Sequence, residues 1–303
     1  MEKQRTIGNS VSISGTGLHT GQKGTLTFNP SDPDTGIRFR RIDLQNRPIV
    51  EAKVENVVDT SRGTTIAQNG IRIFTIEHIM AAIRGAGIDN VLIDIDAEEP
   101  PIDDGSAVNM INALKSVGVI EQNAERRYFK VEKKTTYINE KVGCKLVIEP
   151  ADKFSIDVKV EYDSKVLHTQ EAHLGNIADF EKEIAPCRTF VFFHELEMLL
   201  KMNLIKGGDL SNAVVFVEKD AADEELRRVA AIFHKETVGI CKERGMLNNT
   251  DLRFENEPAR HKLLDLIGDL TLIGRPLIGH VTAYKPGHFA NTEFAKVIKN
   301  QIG

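Results

Sequence analysis

The chain has 303 residues, 41% of them hydrophobic and 27% charged, with a formal net charge of −5. That length suggests about two domains and a core large enough to need no disulfide staples. The acidic balance, the absence of Trp and the 6% aromatic content argue against a nucleic-acid partner bound on a basic, base-stacking surface. Cys144, Cys187 and Cys241 are odd in number and widely spaced, which fits neither a disulfide framework nor a thiolate metal cluster and suits a reducing compartment. The N-terminal residues lack an apolar signal core, and no apolar run approaches a transmembrane segment. The expectation is a cytoplasmic protein.

Residues 6–60 read as strands. A Gly-rich turn, GTGLHTG, occupies positions 15–21, and strands over 24–28 and 36–42 look paired around a turn at 30–35. The glycine spacing is wrong for a dinucleotide fingerprint, and no helix follows it. Residues 75–84 predict a short helix, capped by Thr75 and stopped by Gly85 and Gly87. A strand at 91–95, an acidic Pro-rich loop and a helix near 107–117 follow. The polar stretch 118–127 reads as a link between domains.

Strands resume at 128–137 and 145–149. Leu26–Pro30 and Leu146–Pro150 resemble one another, and each precedes a turn and an alternating strand. This is a short hint of internal duplication. Residues 188–193 are strand-like, and 195–204 show helical periodicity at Leu196, Leu199, Leu200 and Leu204. A strand at 213–217, a charged helix around 223–242, a last strand at 277–284, the loop Lys285-Pro286-Gly287-His288 and a basic helix complete the chain. Strand pairs alternating with helices suggest α+β sandwiches, not a doubly wound parallel sheet.

Residues 256–272 predict the helix of greatest chemical interest. Asn256 is a candidate N-cap, and Pro258 sits in the first turn, where a missing N–H costs nothing. His261, Asp265 and Asp269 recur at i, i+4 and i+8 opposite a broad leucine face, so a His and an Asp one turn apart can reach one metal ion. A solvated polar face has the same spacing. His78 begins another helix with Glu77 beside it, a pairing that suits a metal ligand next to a water-activating carboxylate and equally an ordinary polar helix start. His288 lies in a loop after a strand, where an imidazole can act as general acid or simply face solvent. His194-Glu195 opens like HExxH, but Met198 replaces the second His.

The stretches GTGLHTG (15–21), TIEHIMAAIRGAGIDN (75–90), PPIDDGSA (100–107), CRTFVF (187–192), NEPARHKLLDLIGDL (256–270) and PGHFAN (286–291) together resemble the zinc-dependent UDP-3-O-acyl-N-acetylglucosamine deacetylase family of lipid A biosynthesis. The resemblance spans essentially the whole chain. It implies an α+β fold of two similar domains, 1–125 and 126–303. Each would be a β-sheet layer with packed helices, giving a β-α-α-β sandwich with the active site between them. It implies Zn2+ held by His78, His261 and Asp265, with Glu77 as general base. His288 would act on the oxyanion and the leaving amine, and Asp269 would orient it. Thr189 would meet the carbonyl oxygen, and Lys262 and His19 the nucleotide diphosphate. An insertion near 190–213, beginning at Phe190, would form a passage for the acyl chain of the UDP-linked acylated glucosamine. Gly207 and Gly208 would allow close backbone approach there. A core helix is the alternative reading of that stretch.

Two departures stand out. Many family members carry Cys where Gly63 stands, so a thiol role is absent here. The segment 219–250 is longer than usual and resembles the version fused to a hydroxyacyl-thioester dehydratase, which implies a fusion to, or partnership with, such an enzyme beyond Gly303. A zinc peptidase and an inert nucleotide-sugar or lipid binder are the rival functions. The missing HExxH disfavours the first, and Glu77 and His288 beside three ligands disfavour the second.

Overall fold

The computed structural model describes residues 2–162, 164, 166–201, 205–218, 223–233, 236–241, 245–247 and 251–301. Among these, seven α-helices lie in the order α1 (Glu77–Gly85), α2 (Val108–Ser116), α3 (Phe180–Glu183), α4 (Phe193–Lys201), α5 (Asp223–Ile232), α6 (Glu257–Thr271) and α7 (His288–Lys299). None is long and apolar enough to cross a membrane.

Two five-stranded sheets dominate. The first runs Val11–Thr16, Lys23–Pro30, Val91–Ile95, Ile37–Arg41, Ile49–Glu51 in spatial order, and the second Thr135–Asn139, Cys144–Glu149, His280–Tyr284, Ser155–Glu161, Thr169–Leu174. Both have the same topology. In each, the late strand enters the middle, antiparallel to the second strand and parallel to the third. Chain order is also matched, because α1 and α6 precede the central strands and α2 and α7 follow them. The sequence echo at Leu26–Pro30 and Leu146–Pro150 therefore falls on equivalent strands.

The strands keep the period of two that buries one face. Leu26 and Phe28 sit opposite Ile95 and Ile93, and all are fully buried. Leu146 and Ile148 face Ala283 and Val281 in the same way. α6 packs on Ser155–Glu161 and Thr169–Leu174, α7 on Thr135–Asn139 and Cys144–Glu149, α2 on Val11–Thr16, and α1 against both α2 and α6. The result is a mixed α+β fold layered sheet, helix, helix, sheet, with one continuous apolar core. Strand Phe190–Phe192, α4, Val214–Phe216 and α5 form a separate lobe with its own small apolar clusters.

Several elements differ from expectation. The strands flanking 30–35 are not a hairpin, since Val91–Ile95 lies between them and pairs with both. Its alternate residues Val91, Ile93 and Ile95 are fully buried, as suits a strand paired on both sides at the sheet centre. Residues 118–127 contain a strand that their polarity concealed: Val119–Glu125 pairs antiparallel with Lys3–Ile7 in a largely solvent-facing ribbon. Thr75 does not cap α1. It adopts φ +52°, and its hydroxyl donates to Glu99. The charged helix α5 ends at Ile232, and Ile240–Cys241 pairs with Met246–Leu247 instead. α4 starts two residues earlier than expected, and Leu204 lies outside the described residues. His288 belongs to the first turn of α7, not to the loop before it.

Candidate metal centre and catalytic cleft

The two equivalent helices α1 and α6 cross closely enough that a Cβ on Gly268 would lie 2.1 Å from the Glu77 carbonyl oxygen. Only glycine permits that approach, and it brings the first turn of α1 against the middle of α6. Buried Glu99, from the acidic loop, fixes the surroundings. It accepts from the Thr75 hydroxyl and from the backbone N–H groups of His19 and Thr20. At the start of α6, buried Glu257 accepts from the Arg188 backbone N–H and guanidinium, both at 2.9 Å, and so ties residues 187–189 to the helix.

His78, His261 and Asp265 converge with one ligand atom each within 4.8 Å of the others, all buried, a group able to hold a metal ion. Asp265 Oδ1 lies 3.7 Å from His78 Nε2 and 3.4 Å from His261 Nε2, and it has no hydrogen-bond partner. His261 Nδ1 sits 3.1 Å from the Cys187 carbonyl, which fixes Nδ1 as the protonated nitrogen and turns the Nε2 lone pair inward. Burial, with the neighbouring His261, pushes His78 down to about 3, and burial lowers His261 as well, so both rings are neutral. Burial alone would raise Asp265, but the Lys262 ammonium, with His288, holds it well below the usual carboxylate range. Three inward-facing lone pairs on two neutral imidazoles and an ionised carboxylate repel one another unless a cation sits between them. The donor set thus fits a divalent metal with an open coordination position.

Glu77 and His288 flank this group. Glu77 accepts from the Thr64 backbone N–H at 2.8 Å, and a Cβ on Gly63 would come within 2.7 Å of its Oε1. Burial raises Glu77 to about 7, with Asp265 and Asp269 adding to the shift and His288 opposing it. His288 Nε2 lies 3.9 Å from both Glu77 Oε1 and Asp265 Oδ2, while its Nδ1 faces Asp269 Oδ2 at 3.1 Å. Burial would lower His288, but Asp269 and Glu77 raise it to about 9. A carboxylate near neutrality and an imidazolium beside it form a matched base and acid.

Fully buried Asp269 does not face the cleft. It accepts from Thr64 Oγ1, from Asn291 Nδ2 at 2.9 Å and from His288. Sequence reasoning missed Thr64 and Asn291. PGHFAN contains Asn291, one turn beyond His288 on α7, and that spacing is the signal that was available.

A cavity of about 460 Å3 opens over the metal-binding group. His19, Thr189, Phe190, Gly208 and Lys262 line it together with Glu77, His78, His261, Asp265 and His288. Lys262 Nζ donates to Asp265 Oδ2 at 2.8 Å and lies 5.7 Å from the centre of the Phe190 ring. Burial would lower this ammonium, but Asp265 outweighs it and raises it. The cavity continues along the small lobe over Val191, Leu196, Leu199 and Val215. The stretch beginning at Phe190 is thus partly a cleft wall and partly the core of its own lobe. The closest approach is at Gly207, where a Cβ would lie 2.1 Å from the Gly17 carbonyl oxygen; at Gly208 a Cβ would lie 3.1 Å from the Ile205 carbonyl oxygen, still a tight contact. His194 is exposed and pairs with Glu218 at 3.0 Å, outside the metal-binding group.

Fold and site together define a two-sheet α+β protein with a buried His-His-Asp donor set and an adjoining acid–base pair. A profile of the LpxC family, UDP-3-O-acyl N-acetylglycosamine deacetylase, matches residues 4–237 and 233–300. The chain is 42% identical over 302 residues to the bifunctional enzyme LpxC/FabZ of Porphyromonas gingivalis, covering 100% of this chain and 65% of that one. It is 38% identical over 298 residues to the UDP-3-O-acyl-N-acetylglucosamine deacetylase of Saccharophagus degradans, covering 97% and 89% of the two chains. The Myxococcus xanthus protein of the same name is 38% identical over 296 residues, covering 97% and 86%. The chain belongs to the LpxC family. It spans about two thirds of the length of its bifunctional relatives, 65% in Porphyromonas gingivalis and 64% in Chlorobaculum tepidum.

Proposed function

We propose that this chain is a cytoplasmic, zinc-dependent hydrolase. It removes acetate from the glucosamine nitrogen of UDP-3-O-(3-hydroxyacyl)-N-acetylglucosamine, in lipid A biosynthesis. The observation that carries the reading is the convergence of His78, His261 and Asp265 between Glu77 and His288 at the base of a half-apolar cleft. Family membership supplies the substrate class.

His78, His261 and Asp265 would hold the zinc. When bound, zinc supplies Lewis-acid polarisation and lowers the pKa of water to about 7. Glu77 takes the proton from the attacking water. The Thr64 N–H keeps one carboxylate oxygen engaged and leaves the other for the transfer. Thr189 offers its hydroxyl to the oxygen that gains charge. His288 delivers the Nε2 proton to the departing nitrogen, while Asp269 on Nδ1 fixes the ring and its charge. Lys262 and His19 receive the diphosphate, since an ammonium that donates one hydrogen bond to Asp265 still has two N–H donors. Phe190 and the backbone at Gly208 border the acyl passage, where burial contributes about 0.8 kcal/mol per methylene.

The same reading divides the chain into domains at 1–125 and 126–303, with the acyl-passage insertion near 190–213. It also extends to fusion or partnership with a hydroxyacyl-thioester dehydratase, supported by the two-part name of the bifunctional relatives. The test is acetate release from the acylated sugar nucleotide by protein with about one zinc per chain. Chelation should abolish it and zinc should restore it. A zinc-loaded protein that binds the sugar nucleotide without releasing acetate would overturn the catalytic reading.

A further inference from the structure

At the C-terminal ends of α1 and α6 lies a second cavity, of about 510 Å3, that shares no lining residue with the catalytic cleft. Arg5, Arg84, Arg126, Lys153 and Arg275 line it, against only two carboxylates, Glu2 and Asp152. In a chain of net charge −5 this is a local reversal of sign. Two of the cations are already engaged: Arg126 with Asp89 at 2.9 Å and Glu2 at 3.5 Å, and Arg5 with Glu121 at 3.7 Å. Among the described residues, Arg84, Lys153 and Arg275 make no side-chain hydrogen bond or ion pair. Arg84 and Arg275 are half-buried, and Lys153 stands exposed at the rim.

The position of Arg84 has one ordinary explanation. It lies in the last turn of α1, where a cation faces the carbonyl end of the helix. That does not account for Arg275 and Lys153, which come from other segments and border the same space. Burial and the charge of Arg126 push Arg84 down to about 10, and the opposing pull of Asp89 does not offset them. The remaining wall is apolar and includes Phe154, Ile177, Leu270, Pro276 and Leu277. The volume falls in the range of small-molecule sites.

We infer that this cavity is a binding site for a small organic phosphate monoester, its oxyanion held by Arg84, Arg275 and Lys153 and its compact apolar group lying over Phe154 and Leu270. Guanidinium groups present paired N–H donors that match phosphate oxygens two at a time, which favours this class over a spherical anion. The apolar wall favours an organic ester over inorganic phosphate.

Calorimetric titration of the zinc-loaded chain with phenyl phosphate tests the site, with inorganic phosphate and phenol as comparison probes. One equivalent of phenyl phosphate should bind, roughly tenfold or more tightly than either comparison probe. The double variant Arg84→Gln/Arg275→Gln should weaken binding at least about tenfold, and the Arg84→Lys/Arg275→Lys pair should recover part of the loss. Arg275→Gln alone, outside any helix, should weaken it about threefold to tenfold even if the double variant folds poorly. Absence of saturable binding below about 10 mM, or equal affinity in wild type and Arg275→Gln, would overturn the inference.

Discussion

Asp269 Oδ2 lies 3.1 Å from His288 Nδ1, on the side of the ring away from the metal-binding group. Asp269 is fully buried and is held by Thr64 and Asn291, so its carboxylate is fixed before substrate arrives. Asp269→Asn should therefore retain zinc while lowering turnover about 10- to 100-fold. Because Asp269 raises the His288 pKa, the alkaline limb of the rate profile should move to lower pH. Metal content and a pH series on the same preparation check both points. An Asp269→Asn protein that lost its zinc would place this residue among the ligands instead.

The wild-type profile of kcat/KM against pH should be bell-shaped. Glu77 accepts a proton only when ionised, so the rate should fall as pH drops through about 7. His288 donates only when protonated, so the rate should fall as pH rises through about 9. Between the two values both groups are in the required form. Glu77→Gln should keep the metal and lose about 10²- to 10⁴-fold in turnover. Persistence of the alkaline limb in His288→Gln would assign that limb to another group.

His261, Asp265 and Asp269 were legible because helical spacing makes a polar column visible in a leucine-rich segment. The other half of the site could not be read from periodicity. Thr64 reaches Asp269 across 205 positions from an irregular loop, and a single Thr there has no pattern. The insertion of Val91–Ile95 between strands that are neighbours in sequence is equally non-local. Local turn signals at 30–35 predicted a hairpin because nothing nearby encodes a third strand. The repeat was detectable only as a five-residue echo, since core packing preserves burial and volume more strictly than residue identity. Gly268 had no signal at all inside a helix, although it sets the crossing on which the donor set depends.

That crossing can be probed directly. In Gly268→Ala the new Cβ would meet the Glu77 carbonyl oxygen at 2.1 Å, so α1 and α6 must separate. Helix propensity favours alanine by about 1 kcal/mol, but overpacking at a closed interface costs about 1–3 kcal/mol or more. The net expectation is a lower unfolding midpoint together with weaker zinc affinity, because His78 moves with α1 and Asp265 with α6. Denaturant titration and competition with a chelator measure the two effects separately. A stabilised variant with unchanged metal affinity would show that the helices tolerate a wider crossing.

The Arg188–Glu257 pair makes a different kind of prediction. Both side chains are almost fully buried, at 6% and 1% exposure, so removing Glu257 takes away the carboxylate that accepts from Arg188 Nε and Nη2 and leaves a buried guanidinium less well compensated. Glu257→Ala should cost about 3–5 kcal/mol. It should also reduce turnover, because Glu257 anchors the segment that presents Thr189 and the Cys187 carbonyl on His261. Pairing it with Arg188→Met removes the buried charge and should recover much of the stability. The backbone N–H of Arg188 still lacks its acceptor in the double variant, so turnover should recover less than the unfolding midpoint does. Equal recovery of both would mean that the pair contributes only stability and that residues 187–189 are positioned by their strand contacts.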